Sequence, residues 1–144
     1  MITSMIESDG KFARVWSGLP HFAQVAIRIE EGTGNISIAC SGAGFTSQGR
    51  FEDAPVAGYE PWKAGAAAGV RYALGHAGRA DVDVTITRIT GLSTDTNPTI
   101  VGAAAALATW NGLAFAPAPA EWARVESIVF GSWQRPQDEV PSFA

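Results

Sequence analysis

The fold is decided between Trp62 and Trp110, in WKAGAAAGVRYALGHAG (62–78), VDVTITRITG (82–91) and DTNPTIVGAAAALATW (95–110). In the first segment Trp62, Ala66, Gly69, Val70, Ala73, Leu74 and Ala77 recur at helical spacing, and Gly78 marks a C-terminal stop. Gly65 and Gly69 lie four apart on this helix. Each costs about 1 kcal/mol relative to alanine in a helix interior, so a close backbone neighbour is expected as compensation. In the second segment Val82, Val84 and Ile86 alternate with Asp81, Asp83, Thr85 and Thr87, the period of a strand with one solvated face. The third opens with Asn97 as a favoured N-cap and Pro98 at the first helical position, and its apolar run ends at Gly112 as a stop. Helix, strand and helix follow one another, and both helices are rich enough in Ala and Gly to lie close against another element.

Upstream the chain reads as extended. KFARVWSG begins at Lys11, and in HFAQVAIRIEEG the residues Ala23, Val25, Ile27 and Ile29 alternate with Gln24, Ala26, Arg28 and Glu30, as in a half-buried antiparallel strand. GLP (18–20) separates these runs, EGTGN (31–35) is a glycine-rich turn, and Ile36, Ile38 and Cys40 share one face of a third strand. Three strands joined by short turns predict an antiparallel meander. FEDAPVAGYEPW (51–62), with two prolines and a glycine, is a connector. Downstream, AFAPAPAEW (114–122) reads as an extended spacer, Trp122, Val125, Val129 and Trp133 as a short amphipathic segment, and RPQDEVPSFA (135–144) as a poorly ordered tail. The expected organisation is an α+β domain over residues 1–116, its four-stranded sheet backed by two helices, followed by the Pro-rich spacer, amphipathic segment and tail over 117–144.

This order resembles the ribosomal protein S5 domain 2-like superfamily, and within it domain IV of translation elongation factor G. The three segments between Trp62 and Trp110 and the strands before them carry the resemblance, which is one of pattern. It implies a strand-helix-strand crossover of the uncommon left hand. The superfamily includes translation factors, kinases for small metabolites, dehydratases and proteases, so the resemblance implies a scaffold and no particular reaction. None of their catalytic motifs is present here, and no functional residue carries over.

Composition bounds the function. The 144 residues suffice for one domain burying about two thirds of its unfolded surface. Hydrophobic residues make up 47% and charged residues 17%, a balance that leaves apolar surface for another subunit and points to a homo-oligomer. A net charge of −4 and a pI near 5.0 give no positive field for a phosphate backbone, so nucleic acid is not the expected partner. The start, MITSMIESDGKF, has no basic region followed by an apolar run, and the longest apolar run, IVGAAAALA (100–108), is about half a membrane span. A cytoplasmic protein without a membrane segment is expected. Cys40 is the only cysteine and His21 and His76 lie far apart, so neither a disulfide, a metal site nor a cofactor is implied.

Candidate sites each carry two readings. SGAGFTSQGR (41–50) spaces Gly44 and Gly49 as in a phosphate-binding loop, but Arg50 and Phe51 follow where Lys and Ser or Thr are required. Asp95 and Asn97 at a helix N-terminus could meet an anionic ligand or cap the helix, and their residue types favour the cap. His76 suits a helix C-terminus and His21 a turn. Cys40 is expected to be a buried hydrophobe, and ACSGAG lacks the first glycine of a nucleophile elbow. The 51–62 connector gathers Glu52, Asp53, Tyr59, Glu60 and Trp62 beside Arg50. Two functions follow from the residues, while a third, a translation-associated RNA-binding module, is implied only by the superfamily resemblance and is opposed by the acidic pI. One is a self-associating domain without a catalytic site, its interface at Trp122, Val125, Val129 and Trp133. The other is a small-molecule enzyme or binder with a pocket between the connector and the helix starting at 98, lined by Arg50, Glu60, Asp95 and Asn97.

Overall fold

The computed structural model describes residues 4–46 and 50–143, so part of the glycine-spaced stretch at 41–50 lies outside the described residues. The strands are β1 (Ile6–Trp16), β2 (Leu19–Glu31), β3 (Ile36–Ile38), β4 (Glu52–Asp53) and β5 (Val82–Gly91). The helices are α1 (Glu60–His76), α2 (Pro98–Leu113) and α3 (Pro119–Phe130), followed by a 3-10 turn at Ser132–Gln134. The α+β architecture expected from the sequence is present, as one open sheet with helices on one face.

β1 and β2 form an antiparallel hairpin in which Trp16 pairs with Leu19. Ser17 and Gly18 make the two-residue loop, both with positive φ (54° and 77°), the conformation that matches hairpin twist. The turn therefore precedes the Gly18-Leu19-Pro20 position read from the sequence, and β1 starts at Ile6, ahead of the Lys11 start read there. Gly10 explains the extension, because a Cβ there would overlap the backbone of α2 at Ala104 and Ala108. This glycine lets helix and strand touch.

The third strand departs from the expected meander. β3 pairs parallel with β5, Ile36 opposite Val84 and Ile38 opposite Ile86, so β5 lies between β2 and β3 and the path reads β1-β2-β5-β3. The connector after β2 is diverted because the start of β5 takes up its donors. Asp83 Oδ1 accepts from the backbone N–H of Thr33 at 2.9 Å and of Asn35 at 3.0 Å, while Gly32 N–H and Gly34 N–H donate to the carbonyls of Asp81 and Val82. The chain crosses the end of β5 instead of folding back on β2. From β3 it returns to β5 through α1, making a parallel βαβ unit. A fifth strand, β4, arises within the connector, with Glu52 opposite Gly91.

Phe12, Ala23, Val25, Ile27 and Ile29 face the helices together with Val82, Val84, Ile86 and Ile89. The last of these keeps the face because the register shifts between Ala26 and Ile27, which leaves Thr87 as an extra residue in β5. α2 is buried nearly all round, as a helix enclosed between sheet and helices must be. Its crossing with α1 brings backbones into contact: a Cβ on Gly65 would overlap Pro98, and one on Gly69 would overlap the Gly102 carbonyl. Gly112 is not the helix stop. α2 continues to Leu113 and closes at Ala114 in the left-handed region (φ 54°), while Gly112 leaves room for Ile29 and Ser8 of the sheet. The spacer and tail also pack. α3 buries Val125 and Val129, and Phe143 returns to the α1–α2 crossing beside Gly102. Among the described residues no helix is long and apolar enough to cross a membrane.

Candidate functional site

The connector and the approach to α2 do meet, at a residue the sequence reading gathered but did not choose. Glu52 is carried on β4 to the end of β5, and its carboxylate is buried. Tyr59 Oη donates to Oε1 at 2.5 Å, and Ser93 donates to Oε2 twice, from N–H at 2.9 Å and from Oγ at 2.7 Å. Burial raises the carboxyl pKa, but the donors from Tyr59 and Ser93 outweigh it and hold the group below its ordinary value. Burial, together with the hydrogen bond to Glu52 and its charge, pushes the Tyr59 phenol up to about 12. Near neutral pH the carboxylate has no proton to give and the phenol does not release one. The trio fastens the connector to the loop before α2, and Thr90 donating to Asp53 adds a second tie.

Asn97 is a cap: its Oδ1 accepts from Ile100 N–H at 2.9 Å, and its Nδ2 donates to Ser132 Oγ at 2.9 Å. The side chain is buried with both ends engaged. Asp95 is half-buried, accepts from Thr94 Oγ1 at 2.8 Å, and offers its backbone carbonyl to Phe22 N–H at 2.8 Å. Glu60 and Arg50 are exposed. No hydrogen bond among the described residues joins any two of these four.

The amphipathic segment packs on its own chain. Val125 and Val129 are fully buried, Trp122 lies 6.1 Å from Phe12 between ring centroids, and Trp133 Nε1 donates to Pro20 O at 2.9 Å. Exposed large apolar side chains lie at several places: Val15 (73%), Trp16 (53%) and Leu19 (42%) about the β1–β2 turn, Met5 just before β1, and Ile38, Phe45, Phe51, Val56 and Val140 elsewhere. His21 is buried against Phe130, and neither ring nitrogen has a hydrogen-bond partner among the described residues. Burial lowers its pKa below 6.5, against the opposing effect of backbone groups at Leu19, Arg14 and Phe130. Cys40 is buried beside the Ile86 carbonyl, and burial pushes its thiol up. His76 is exposed at the end of α1. Among the described residues no three His, Cys, Asp or Glu side chains are grouped to hold a metal ion.

Among the described residues β1 pairs only with β2, so one of its edges is open. A two-residue loop closes on a hydrogen-bonded pair, and alternation from Trp16↔Leu19 turns the backbone groups of even residues toward β2 and of odd residues outward. Asn111 Nδ2 donating to the Asp9 carbonyl at 3.0 Å agrees with that phase. Side chains alternate likewise: Gly10 and Phe12 face the helices and are buried, whereas Glu7, Asp9, Lys11, Ala13 and Val15 are exposed on the other face.

These features define an α+β chain with an open sheet. No family model matches the sequence, and no curated protein matches it. The fold is shared with a protein of Thermus thermophilus at a TM-score of 0.64 and 14% identity, over 78% of this chain and 16% of that one. This chain thus spans under a fifth of the Thermus protein. Mevalonate kinase from methicillin-resistant Staphylococcus aureus aligns at a TM-score of 0.42 and 13% identity over 96% of this chain and 48% of the kinase, too loosely to carry an argument. At such identities the likeness is one of fold.

Proposed function

We propose that this chain is a self-associating α+β module whose work is assembly, not catalysis. The observation that carries the reading is the open edge of β1, with Val15, Trp16 and Leu19 exposed about its turn. An unpaired strand edge presents a row of free N–H and C=O groups, a template for pairing with another chain. The alternative, a small-molecule site between connector and α2, finds less support, because the polar groups at that junction are engaged with one another. The ribosomal protein S5 domain 2-like superfamily is the proposed affiliation, and the left-handed crossover is proposed with it.

The test is native mass spectrometry combined with light scattering at micromolar concentration. A homo-oligomer that weakens on Val15→Ser or Leu19→Ser, with unchanged circular dichroism, supports the reading. A wild-type chain that stays monomeric up to about 100 μM, well above the concentrations at which specific interfaces form, refutes it.

A further inference from the structure

We infer that the partner is a second copy of this chain, joined antiparallel along the open edges of the two β1 strands across a two-fold axis through Gly10. The inference rests on the self-association reading and deepens it by naming the surface and the register. The edge can pair only through residues whose backbone groups point outward, which are the odd ones, so facing residues must both be odd. Among such registers, the one centred on Gly10 places Met5 opposite Val15, Glu7 opposite Ala13 and Asp9 opposite Lys11, each pair occurring twice by symmetry.

This register is self-complementary. Val15, exposed in the single chain, comes beside Met5, the residue that precedes the partner's β1. Asp9 and Lys11, exposed on the same face, meet as opposite charges at both positions. Charges on an edge strand ordinarily deter edge-to-edge pairing. Here their order converts that deterrent into a register selector, because a slip by two residues sets Lys11 against Lys11 or Asp9 against Asp9. The Asn111 amide on the Asp9 carbonyl takes one of its two lone pairs and leaves the other for a partner strand. The axis stands perpendicular to the sheet, so the two helical layers lie on one side and the two polar faces on the other.

Charge reversal tests the register. Lys11→Asp alone and Asp9→Lys alone each set like charges opposite each other twice, and each is expected to weaken the dimer by about tenfold, whereas Asp9→Lys with Lys11→Asp restores it. Both positions are exposed, and thermal melts of each variant check that the fold is kept. Independently, Glu7→Cys with Ala13→Cys is expected to give a covalent dimer on mild oxidation, because paired Cα atoms about 5.5 Å apart fall within disulfide range. A wild-type dimer that is indifferent to both reversals and does not cross-link overturns the β1 register while leaving self-association standing. A wild-type monomer overturns both.

Discussion

The backbone contact between α1 and α2 makes a quantitative demand on two glycines of one helix. Gly69 and Gly75 both lie in α1, and neither needs a positive φ. Replacing either by alanine removes the helix-interior cost of glycine, a gain of up to about 1 kcal/mol. At Gly75 nothing lies within 4 Å of the added Cβ, so that gain stands alone. At Gly69 the Cβ would overlap the Gly102 carbonyl, which is backbone and cannot rotate away. The helices must separate along a crossing already filled by Gly65 and Phe143, and overpacking of this kind costs about 1–3 kcal/mol, with the added backbone shift placing it at the upper end. The net expectation is a loss of about 1–2 kcal/mol for Gly69→Ala and a gain of up to about 1 kcal/mol for Gly75→Ala. At this chain length 1 kcal/mol corresponds to roughly 4 °C, so calorimetric midpoints of the two variants should differ by about 4–12 °C. Equal midpoints would mean that the two helices are not in backbone contact, and the case for the crossing would fail.

Three further outcomes follow from single side chains. His21 is held neutral by burial, so its contribution to stability is present above pH 6.5 and is lost as pH falls through its lowered pKa. Urea midpoints at pH 7.5 and pH 5 should drop more for the wild type than for His21→Phe, and parallel drops would remove His21 as the cause. Glu52→Gln leaves either Ser93 or Tyr59 facing a donor instead of an acceptor and should cost about 1–3 kcal/mol. Ultraviolet titration should then show one tyrosine falling from about 12 toward its ordinary value, and an unchanged curve would contradict the Glu52–Tyr59 bond. Asn97→Ala removes a helix cap and the link to Ser132, an expected loss of about 1–2 kcal/mol in urea melts. No loss would show that the cap is dispensable.

What the sequence carried was local. The spacing Gly65–Gly69 announced a close helix neighbour, the N-cap at Asn97 was readable from Asn-Pro, and the alternation in 23–29 and 82–86 declared the buried faces of β2 and β5. What it did not carry was pairing between distant segments. β3 looks like the third strand of a meander until Asp83, some fifty residues on, takes the donors of the intervening loop. Glu52 became a junction only through Ser93, forty-one residues away, and no local pattern marks that partnership. The aromatic and valine residues at 122–133 matched an interface in composition. They pack on their own chain because Phe12, Trp110 and Pro20 stand within reach once the hairpin and α2 are in place.

The two faces of the sheet suggest why assembly should run through an edge. The helical side is closed by backbone contact between α1 and α2 and by Phe143 over their crossing, so it offers little that a partner could add. The opposite face carries Gln24, Arg28, Glu30, Asp83, Thr85 and Thr87, several of them already paired: Gln24 with Asp9, Arg28 with Glu30 and Thr87 with the Ala26 carbonyl. A partner laid on that face would exchange made hydrogen bonds for new ones, with small net gain. At β1 the balance differs, because its outward N–H and C=O groups, apart from the Asp9 carbonyl, have no partner among the described strands, and Val15 beside them is largely exposed. Pairing there replaces hydration of backbone and of Met5 and Val15 with ladder bonds and apolar contact, disturbing no bond within the fold except at Asp9, where Asn111 and the partner strand can share one carbonyl.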